Sequence, residues 1–557
     1  MPRLPKQHIL RTSTARFGRF LAAILAAVLA VVPLTACSAK KSNSSSVSSD
    51  AIITVNSVEP TTELLPGNIA DTAGWKIITQ VFDGLVTFSD TGGLEYDDAE
   101  SITPNDDATQ YTIKLKSGRA FSNGEAVTAE SYARAWSYAA NAANGQLGAA
   151  IFATIKGYDD VQNAKGDPNA QLSGLKVIDD TTLQVTLKQP DSSFPYKVGD
   201  VAFLPLPSVA YSDMDAFGKA PIGNGPYVLQ SWTPDQSIEL RRNDSYAGPR
   251  NAQNGGISFR VYSDLNTAYA DLQSGNLDVL DQIPTSALSM YQTDSTINAF
   301  TQKGPAFKSI TIPQKLEHFS GQEGALRREA ISMAIDRSSI TSKVLYGSAT
   351  PATDFLAPTI AGYSDKIDTN GVLSYNPDKA KELWAKANAI SPWSGTFRIA
   401  YNADGDNKQW VDAVANSIKN ALGIDAQGDS IATSKDFSTQ VNQRTIGAAF
   451  RSGIQSDYPH PEGYLVQGYD SAYADGKGLN NGDYKSEKFD DYMNQAAKQT
   501  DLDEATKTYQ QAEKLLLTDL PVIPLWYANV NAGASLQMQD VVFNYMGLLS
   551  YYQLTKH

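Results

Sequence analysis

The chain has 557 residues, of which 42% are hydrophobic and 19% are charged, a balance that supports buried cores and excludes a disordered chain. At roughly 100 to 200 residues per domain, this length excludes one small module and indicates about three to five domain-sized units. The formal net charge of -14 argues against a nucleic-acid partner, because proteins that bind phosphate backbones need a stripe of Lys and Arg.

The N-terminal segment has the pattern of an export signal. Five basic residues and no acidic residue precede an unbroken apolar run from Leu21 to Val32. As a helix this run would span only about 18 Å, which is short of the roughly 30 Å hydrocarbon core of a bilayer. The pattern therefore favours a signal peptide over a membrane span.

The single cysteine of the chain follows this apolar run. Leu34-Thr35-Ala36-Cys37 resembles the bacterial lipobox, so we expect residues 1–37 to be a lipoprotein signal peptide and Cys37 to carry the lipid. An ordinary secretory signal that ends in a small apolar residue is the alternative. Residues 38–50 are rich in serine and are expected to form a flexible tether. One cysteine also means that no intramolecular disulfide forms.

From residue 51 onward, strand and helix patterns alternate, which is typical of a mixed α/β chain. Alternating apolar and polar residues predict half-buried strands at 111–115 and 183–187. Thr128 can cap a helix, Asn376 followed by Pro377 predicts a second helix start, and a third helix should end before Pro521. The apolar stripes of these helices, which we expect to be buried, are Tyr132, Ala135, Trp136 and Ala139; Ala380, Leu383, Trp384 and Ala387; and Ala505, Tyr509, Ala512 and Leu516.

Most patterns of catalytic and metal sites are missing from the sequence. There is no nucleophile elbow, no H-E-x-x-H zinc pattern and no phosphate-binding P-loop. His318, His460 and His557 are too far apart in sequence for a local ligand cluster, so we expect no metal and no cofactor. Gly223-Asn224-Gly225-Pro226 lacks the third glycine of a dinucleotide fingerprint and predicts a tight turn that enters a strand at Tyr227.

Six motifs in consistent order resemble the extracellular solute-binding proteins of family 5, the peptide-binding components of ABC importers. Single matches would be weak, but six in order are specific, and they cover nearly all of the chain beyond the signal segment. The motifs are Phe82-Asp83-Gly84-Leu85; Tyr111 to Leu115 with Phe121-Ser122-Asn123-Gly124 and Val127-Thr128-Ala129-Glu130; Gly223-Asn224-Gly225-Pro226-Tyr227 with Arg242-Asn243 and Tyr246; Leu326-Arg327-Arg328-Glu329-Ala330 with Ala334-Ile335-Asp336-Arg337; Asp457-Tyr458-Pro459-His460-Pro461; and Leu520-Pro521-Val522-Ile523-Pro524-Leu525.

The resemblance implies an α/β, two-lobe fold like that of the periplasmic binding proteins, of type II, with the extra domain of peptide-binding members. Closure of two lobes about a hinge is a known way of enclosing a ligand. We expect a discontinuous first lobe at 51–82, 206–305 and 526–557, an extra domain at 83–205 and a second lobe at 306–525.

The resemblance also implies the residues that would hold a peptide. In peptide-binding members, an aspartate at the position of Asp457 binds the ligand ammonium, and an arginine at the position of Arg451 can meet the ligand carboxylate. A turn aspartate and an ordinary surface arginine are the alternatives for these two residues. Gly453, Ile454 and Gln455 would bind the peptide backbone, and the chain around Asp71 and Thr72 would be the opposing strand. Ile454 and Gln455 stand where enteric members have tryptophan and a disulfide cysteine, so side-chain preferences do not carry over.

We therefore expect a protein without enzymatic activity that captures dipeptides or oligopeptides and delivers them to an ABC permease, as a monomer anchored by lipid to the outer face of the cell membrane. Within the same fold, a short oligosaccharide or another small solute is the alternative ligand. From another class, an exported glycoside hydrolase remains open, because 60 Asp and Glu residues offer many possible carboxyl pairs.

Overall fold

The computed structural model describes residues 49–89 and 91–557. The expected signal peptide and Cys37, and the tether up to residue 48, lie outside the described residues. The strands, in chain order, are β1 (Ile52–Ser57), β2 (Val86–Phe88), β3 (Leu94–Tyr96), β4 (Ala99–Pro104), β5 (Gln110–Leu115), β6 (Leu175–Asp179), β7 (Thr182–Thr186), β8 (Tyr227–Thr233), β9 (Ser237–Arg242), β10 (Gly256–Val261), β11 (Val279–Leu280), β12 (Ile297–Gln302), β13 (Phe307–Thr311), β14 (Ala349–Pro351), β15 (Thr396–Asn402), β16 (Asp425–Ile431), β17 (Ala449–Ile454), β18 (Val522–Ala528), β19 (Val530–Ser535), β20 (Met538–Gln539) and β21 (Thr555–Lys556).

The helices begin and end at residues suited to these positions. Thr128 caps the helix that follows it, and the Asn376 side chain accepts from the backbone N–H of Lys379 ahead of Pro377, as predicted. The α-helices are α1 (Thr72–Val81), α2 (Ala129–Ala140), α3 (Phe194–Lys197), α4 (Met214–Lys219), α5 (Leu265–Gln273), α6 (Gly321–Met333), α7 (Arg337–Ser339), α8 (Pro377–Ile390), α9 (Lys408–Leu422), α10 (Ser434–Asn442), α11 (Pro461–Tyr469), α12 (Glu487–Ala496) and α13 (Leu502–Asp519).

The largest sheet of the described residues has seven strands in the order β12-β19-β11-β1-β10-β9-β8. β1 is central and runs parallel to both β10 and β11, whereas the outer pairs are antiparallel. Ile53, Val55, Ile257 and Phe259 are fully buried on it. Distant parts of the chain, from β1 to β19, therefore meet in one sheet.

A second sheet of six strands has its own core. Its order is β14-β18-β13-β17-β15-β16, and Ile310, Ile399, Ile523 and Leu525 are fully buried in it. Most of the buried residues between 307 and 527 form one apolar cluster that is separate from the cluster around the seven-stranded sheet. The two large sheets thus have separate apolar cores.

A four-stranded sheet, β4-β5-β7-β6, lies in the same apolar cluster as the seven-stranded sheet. Helix α2 contributes Tyr132 and Trp136, which are both 0% exposed, and the Trp136 indole donates to the backbone carbonyl of Phe203 at 2.7 Å. The small pairs β2-β3 and β20-β21 complete the strand pairing. In the described residues, no helix is long and apolar enough to cross a membrane.

The chain passes between the two large sheets twice, and the two passages lie side by side. β12 ends at Gln302 and β13 begins at Phe307, while β18 ends at Ala528 and β19 begins at Val530. The backbone N–H of Ala528 donates to the carbonyl of Ala306 at 2.9 Å. A Cβ on Gly304 would collide with the carbonyl oxygen of Ala528, so only glycine permits this close approach. We call these two passages the hinge segments, or the hinge.

Candidate functional site

A cavity of about 1150 Å³ lies beside the hinge. Gly304 to Ala306 and Ala528 to Asn531 line its base, so the hinge itself forms part of the wall. Both large bodies and the segment around the four-stranded sheet contribute to the rest, which includes Asp71, Thr72, Lys76, Lys197, Asp200, Asp281, Gln455, Asp457, Tyr458, Glu462, Tyr473 and Lys477.

Asp457 follows the end of β17 and lines this cavity. The hydroxyl of Tyr545 donates to its backbone carbonyl at 3.0 Å. Its side chain is exposed to the solvent in the cavity, yet the surrounding protein raises the pKa of the carboxyl by desolvation. No group of residues 49–89 or 91–557 donates to this carboxylate or forms an ion pair with it. Asp457 is therefore an acid that lines the cavity and has no counterion among the described residues, which favours a cationic ligand group.

Gln455, Asp71 and Thr72 also line the cavity, as the predicted site requires. Asp71 and Thr72, however, do not form an opposing strand, and that interpretation is wrong. Asp71 caps helix α1: its Oδ1 accepts from the Gly74 N–H at 2.9 Å and its Oδ2 from the Thr61 N–H at 2.9 Å. These bonds hold the start of the helix against the cavity.

Arg451, Gly453 and Ile454 lie on β17 and are not among the residues that line the cavity. The Arg451 Nε donates to Asn402 Oδ1 at 2.5 Å, and its guanidinium lies 4.5 Å from the centre of the Phe437 ring. The even spacing to Asp457 does not place both residues on one face, because the strand ends at Ile454 and the chain bends at Asp457. This placement gives no support to Arg451 as the ligand for a carboxylate.

The backbone of β17 nevertheless offers a free edge. β17 pairs with β15 only through Ala449 and Phe450, whereas its pairing with β13 continues to Ile454. From Arg451 onward, one backbone edge has no strand partner in the described part of the chain. An extended ligand segment can pair with such an edge.

Three lysines line the cavity, and two of them are already paired. Lys76 forms an ion pair with Asp281, and Lys197 pairs with Asp191 at 2.8 Å and Glu462 at 3.3 Å. Lys477 is exposed and, within the described residues, makes no ion pair with a carboxylate. Sequence reasoning missed Lys477, because nothing in its local pattern separates it from a surface lysine.

Asp200 is a second acid in the cavity that sequence reasoning missed. Its side chain caps a short 3-10 turn, with Oδ1 accepting from the Ala202 N–H at 2.8 Å. Burial raises the pKa of its carboxyl to about 7, a shift that the Ala202 hydrogen bond opposes and the charge of Asp457 reinforces. No sequence motif surrounds Asp200, so only the fold reveals it.

Three other acids, Asp83, Asp97 and Asp98, lie close enough together to hold a metal ion. Two arginines occupy that space instead. Arg119 Nε lies 3.2 Å from Asp98, and Arg250 Nε donates to Asp83 at 3.0 Å. The cluster is a buried ion network at the junction of two segments, and the arginines supply the charge that a metal would bring.

A second cavity of about 430 Å³ shares Trp75, Val201, Met546 and Leu548 with the first. Gln80 Oε1 and the Tyr551 hydroxyl are buried beside it and have no hydrogen-bond partner among the described residues. An ordered water molecule can satisfy such atoms.

Two bodies with separate cores, joined by a double passage and enclosing a cavity at their hinge, define a two-lobe binding protein. The family model described as "Bacterial extracellular solute-binding proteins, family 5 Middle" matches residues 94–476. This chain belongs to that family.

Individual relatives agree with this assignment. The dipeptide-binding protein DppE of Bacillus subtilis (strain 168) is 24% identical over 515 residues, which cover 90% of this chain and 91% of that protein. Among solved structures, the murein tripeptide-binding protein MppA of Escherichia coli, in its unliganded open form, matches with a TM-score of 0.79 at 21% identity, covering 91% of this chain and 97% of that chain. The oligopeptide-binding protein AppA of Bacillus subtilis, solved with a nonapeptide, matches with a TM-score of 0.68 at 21% identity and covers 92% of this chain and 100% of its own.

Proposed function

We propose that this protein captures short peptides between its two lobes and delivers them to the membrane permease of an ABC importer. The observation that carries the proposal is the Asp457 carboxylate, which lines the interlobe cavity and has no cationic partner among the described residues. The named ligands of DppE, MppA and AppA, a dipeptide, a murein tripeptide and a nonapeptide, support the same ligand class.

At one end of the ligand, Asp457 binds the α-ammonium group. Closure of the lobes over a ligand would bury this carboxylate, and leaving a buried charge uncompensated typically costs about 3 to 5 kcal/mol. A free peptide N-terminus removes that cost for Asp457. The pairing also gives the ligand a fixed starting point, because the Tyr545 hydrogen bond holds the backbone of Asp457.

Along its length, the peptide pairs with the protein as an added strand. Its N–H and C=O groups must find partners when the lobes exclude water. The cavity residue Gln455 is the first candidate for this pairing, and the free edge of β17 from Arg451 to Ile454 would extend the pairing beyond the cavity. Backbone pairing of this kind does not depend on the peptide sequence.

At the other end, Lys477 binds the carboxylate of a short ligand. Lys76 and Lys197 are engaged in ion pairs, so Lys477 is the cavity lysine whose charge is available within the described residues. This assignment replaces the one made for Arg451 from the sequence.

Four further features belong to the same proposal. The domain boundaries follow the three sheets, with the second-lobe boundary moved past 525 because β18 continues to Ala528. Cys37 carries a lipid that anchors the protein to the outer face of the cell membrane, and the protein acts as a monomer. The protein binds without catalysis.

Calorimetry with tri-alanine tests the proposal. We expect Asp457→Asn to weaken binding by about a hundredfold or more, since a buried charge pair is lost. N-acetylation of the peptide should produce a comparable loss with the wild-type protein. Asp160→Asn is the matched control, because Asp160 is exposed, lies outside the cavity, and its carboxylate makes no hydrogen bond within the described residues. Equal affinity for free and acetylated peptide would remove Asp457 from this role.

The two alternatives have distinct signatures. If the natural ligand is an oligosaccharide held in the same cavity, calorimetric titrations should show binding of sugars and none of tri-alanine. A glycoside hydrolase would need a carboxyl pair such as Asp200 and Asp457, and incubation with sugar pools would release products. Mass spectrometry of molecules that co-purify with the protein identifies the natural ligand directly.

A further inference from the structure

We propose that Asp200 is a second carboxylate of the ammonium pocket, and that the site therefore selects peptides whose first residue has a positively charged side chain. This inference rests on the proposed peptide-binding function and names its preferred substrate class.

The position of Asp200 is the first argument. The residue is 7% exposed, yet it lines the same cavity as Asp457. Its Oδ1 accepts from the Ala202 N–H at 2.8 Å. No other group in the described ranges donates to this carboxylate, and no lysine or arginine there forms an ion pair with it. A nearly buried acid that lines the cavity and has no counterion is suited to a cationic group of the ligand.

A chain of contacts holds Asp200 next to Asp457. Gly199 lies directly against the Phe88 ring, since a Cβ at this position would overlap ring atoms. The Phe88 ring contacts the Tyr545 ring edge-on, with 5.1 Å between the ring centres. The Tyr545 hydroxyl in turn donates to the Asp457 carbonyl. Asp200 and Asp457 therefore both lie near Tyr545, and the charges of both carboxylates act on its hydroxyl.

The two carboxylates of the pocket indicate which peptides it should prefer. The nearest lysine to Asp200 in sequence, Lys197, is already shared by Asp191 and Glu462. One α-ammonium compensates one carboxylate and leaves the other unpaired. The side chain of the first residue starts from the carbon that carries the α-ammonium, so it is the part of the peptide best placed to reach the second carboxylate. Lysine or arginine at that position supplies the missing charge.

Calorimetry with three tripeptides tests this selection on the unmodified protein. The first residue is lysine, Nζ-acetyl-lysine or norleucine, and Ala-Ala follows in each. We expect the lysine peptide to bind at least about tenfold more tightly than the two uncharged peptides. Asp200→Asn should bring the three dissociation constants to within about twofold of one another, because asparagine has no charge to pair with lysine. The asparagine Oδ1 can still accept from the Ala202 N–H, so the turn is kept. Asp160→Asn should keep the full preference.

The outcomes separate the two proposals. If the three peptides bind the wild-type protein equally well, or if Asp200→Asn keeps the preference for lysine, the inference is wrong while peptide capture stands. If no peptide binds, both are wrong. The comparison of peptides on the wild-type protein tests the preference for a positively charged first residue even if the variant does not fold.

Discussion

The Tyr545 hydroxyl and the backbone carbonyl of Asp457 are joined by a hydrogen bond of 3.0 Å that connects segments 88 residues apart. Tyr545 is buried, and its ring also contacts Phe88. The loop that presents the acid is thus positioned by the C-terminal segment and not by its own lobe alone.

Replacing Tyr545 with phenylalanine should loosen this loop. The change leaves a carbonyl without its donor, which costs about 1 kcal/mol and corresponds to about fivefold weaker peptide binding by calorimetry. Tyr551→Phe is the matched control, because the Tyr551 hydroxyl is also buried but has no partner in the described residues. Equal losses in the two variants would show that the Asp457 bond has no special role.

Binding of a lysine-first peptide should depend on pH through Asp200. Burial and the charge of Asp457 raise the pKa of its carboxyl to about 7 in the empty site, with the Ala202 N–H opposing the shift. Since a cationic ligand favours the ionised form, affinity should rise by about tenfold between pH 5.5 and 7.5. Asp200→Asn should flatten this profile in calorimetric titrations, and an unchanged profile would contradict the assignment.

The raised pKa of Asp200 has the opposite effect on the ligand-free protein, whose stability should fall as pH rises. Between about pH 4 and 7, Asp200 is protonated in the fold but ionised in the unfolded chain, so its contribution to the free energy of unfolding falls as pH rises through this window. Thermal unfolding of the ligand-free protein should therefore show Asp200→Asn gaining stability relative to the wild type at pH 8 and not at pH 4.

The two candidate residues for the ligand carboxylate should respond differently. Arg451→Gln should leave peptide affinity unchanged and cost about 1 kcal/mol of stability, since it removes a contact with Asn402 and Phe437. Lys477→Gln should weaken the binding of a peptide with a free C-terminus by about fivefold and leave the binding of the amidated peptide unchanged. Calorimetry and urea unfolding measure the two effects, and the reverse pattern would restore Arg451 to the site.

Breaking the buried ion network around Asp83 should lower the free energy of unfolding. Arg250→Met leaves Asp83 without its main partner, and we expect a loss of about 3 to 5 kcal/mol in urea unfolding. Arg242→Met is the control: its partners Asp50 and Asp244 are highly exposed, so the loss should stay below about 1 kcal/mol. Similar losses for the two variants would argue against a special role for burial.

Much of the fold was accessible from the sequence because local signals and packing agree. The stripe of α8, Ala380, Leu383, Trp384 and Ala387, is buried as predicted. α13 ends at Asp519, before Pro521. β8 begins at Tyr227, where the tight turn was expected to enter a strand.

The site was less accessible, because it depends on where separate segments meet. The Arg451 prediction assumed that the chain stays extended to Asp457, but the strand ends at Ile454. The position of Asp71 in the family pattern predicts a strand, whereas its side chain caps helix α1. Asp200 has no local pattern, and the role proposed for it rests on contacts with Phe88 and Tyr545, which lie far away in sequence.

The double passage at the hinge has a practical consequence for observing motion. Asp50 and Lys556 both belong to the body built on the seven-stranded sheet, through the Arg242 ion pair and the packing of the C-terminal strand region. A pair of fluorophores at these two positions would keep a constant separation while the lobes swing. One fluorophore near Asp50 and another on the exposed side of α9 would instead report each closure event as a change in energy transfer.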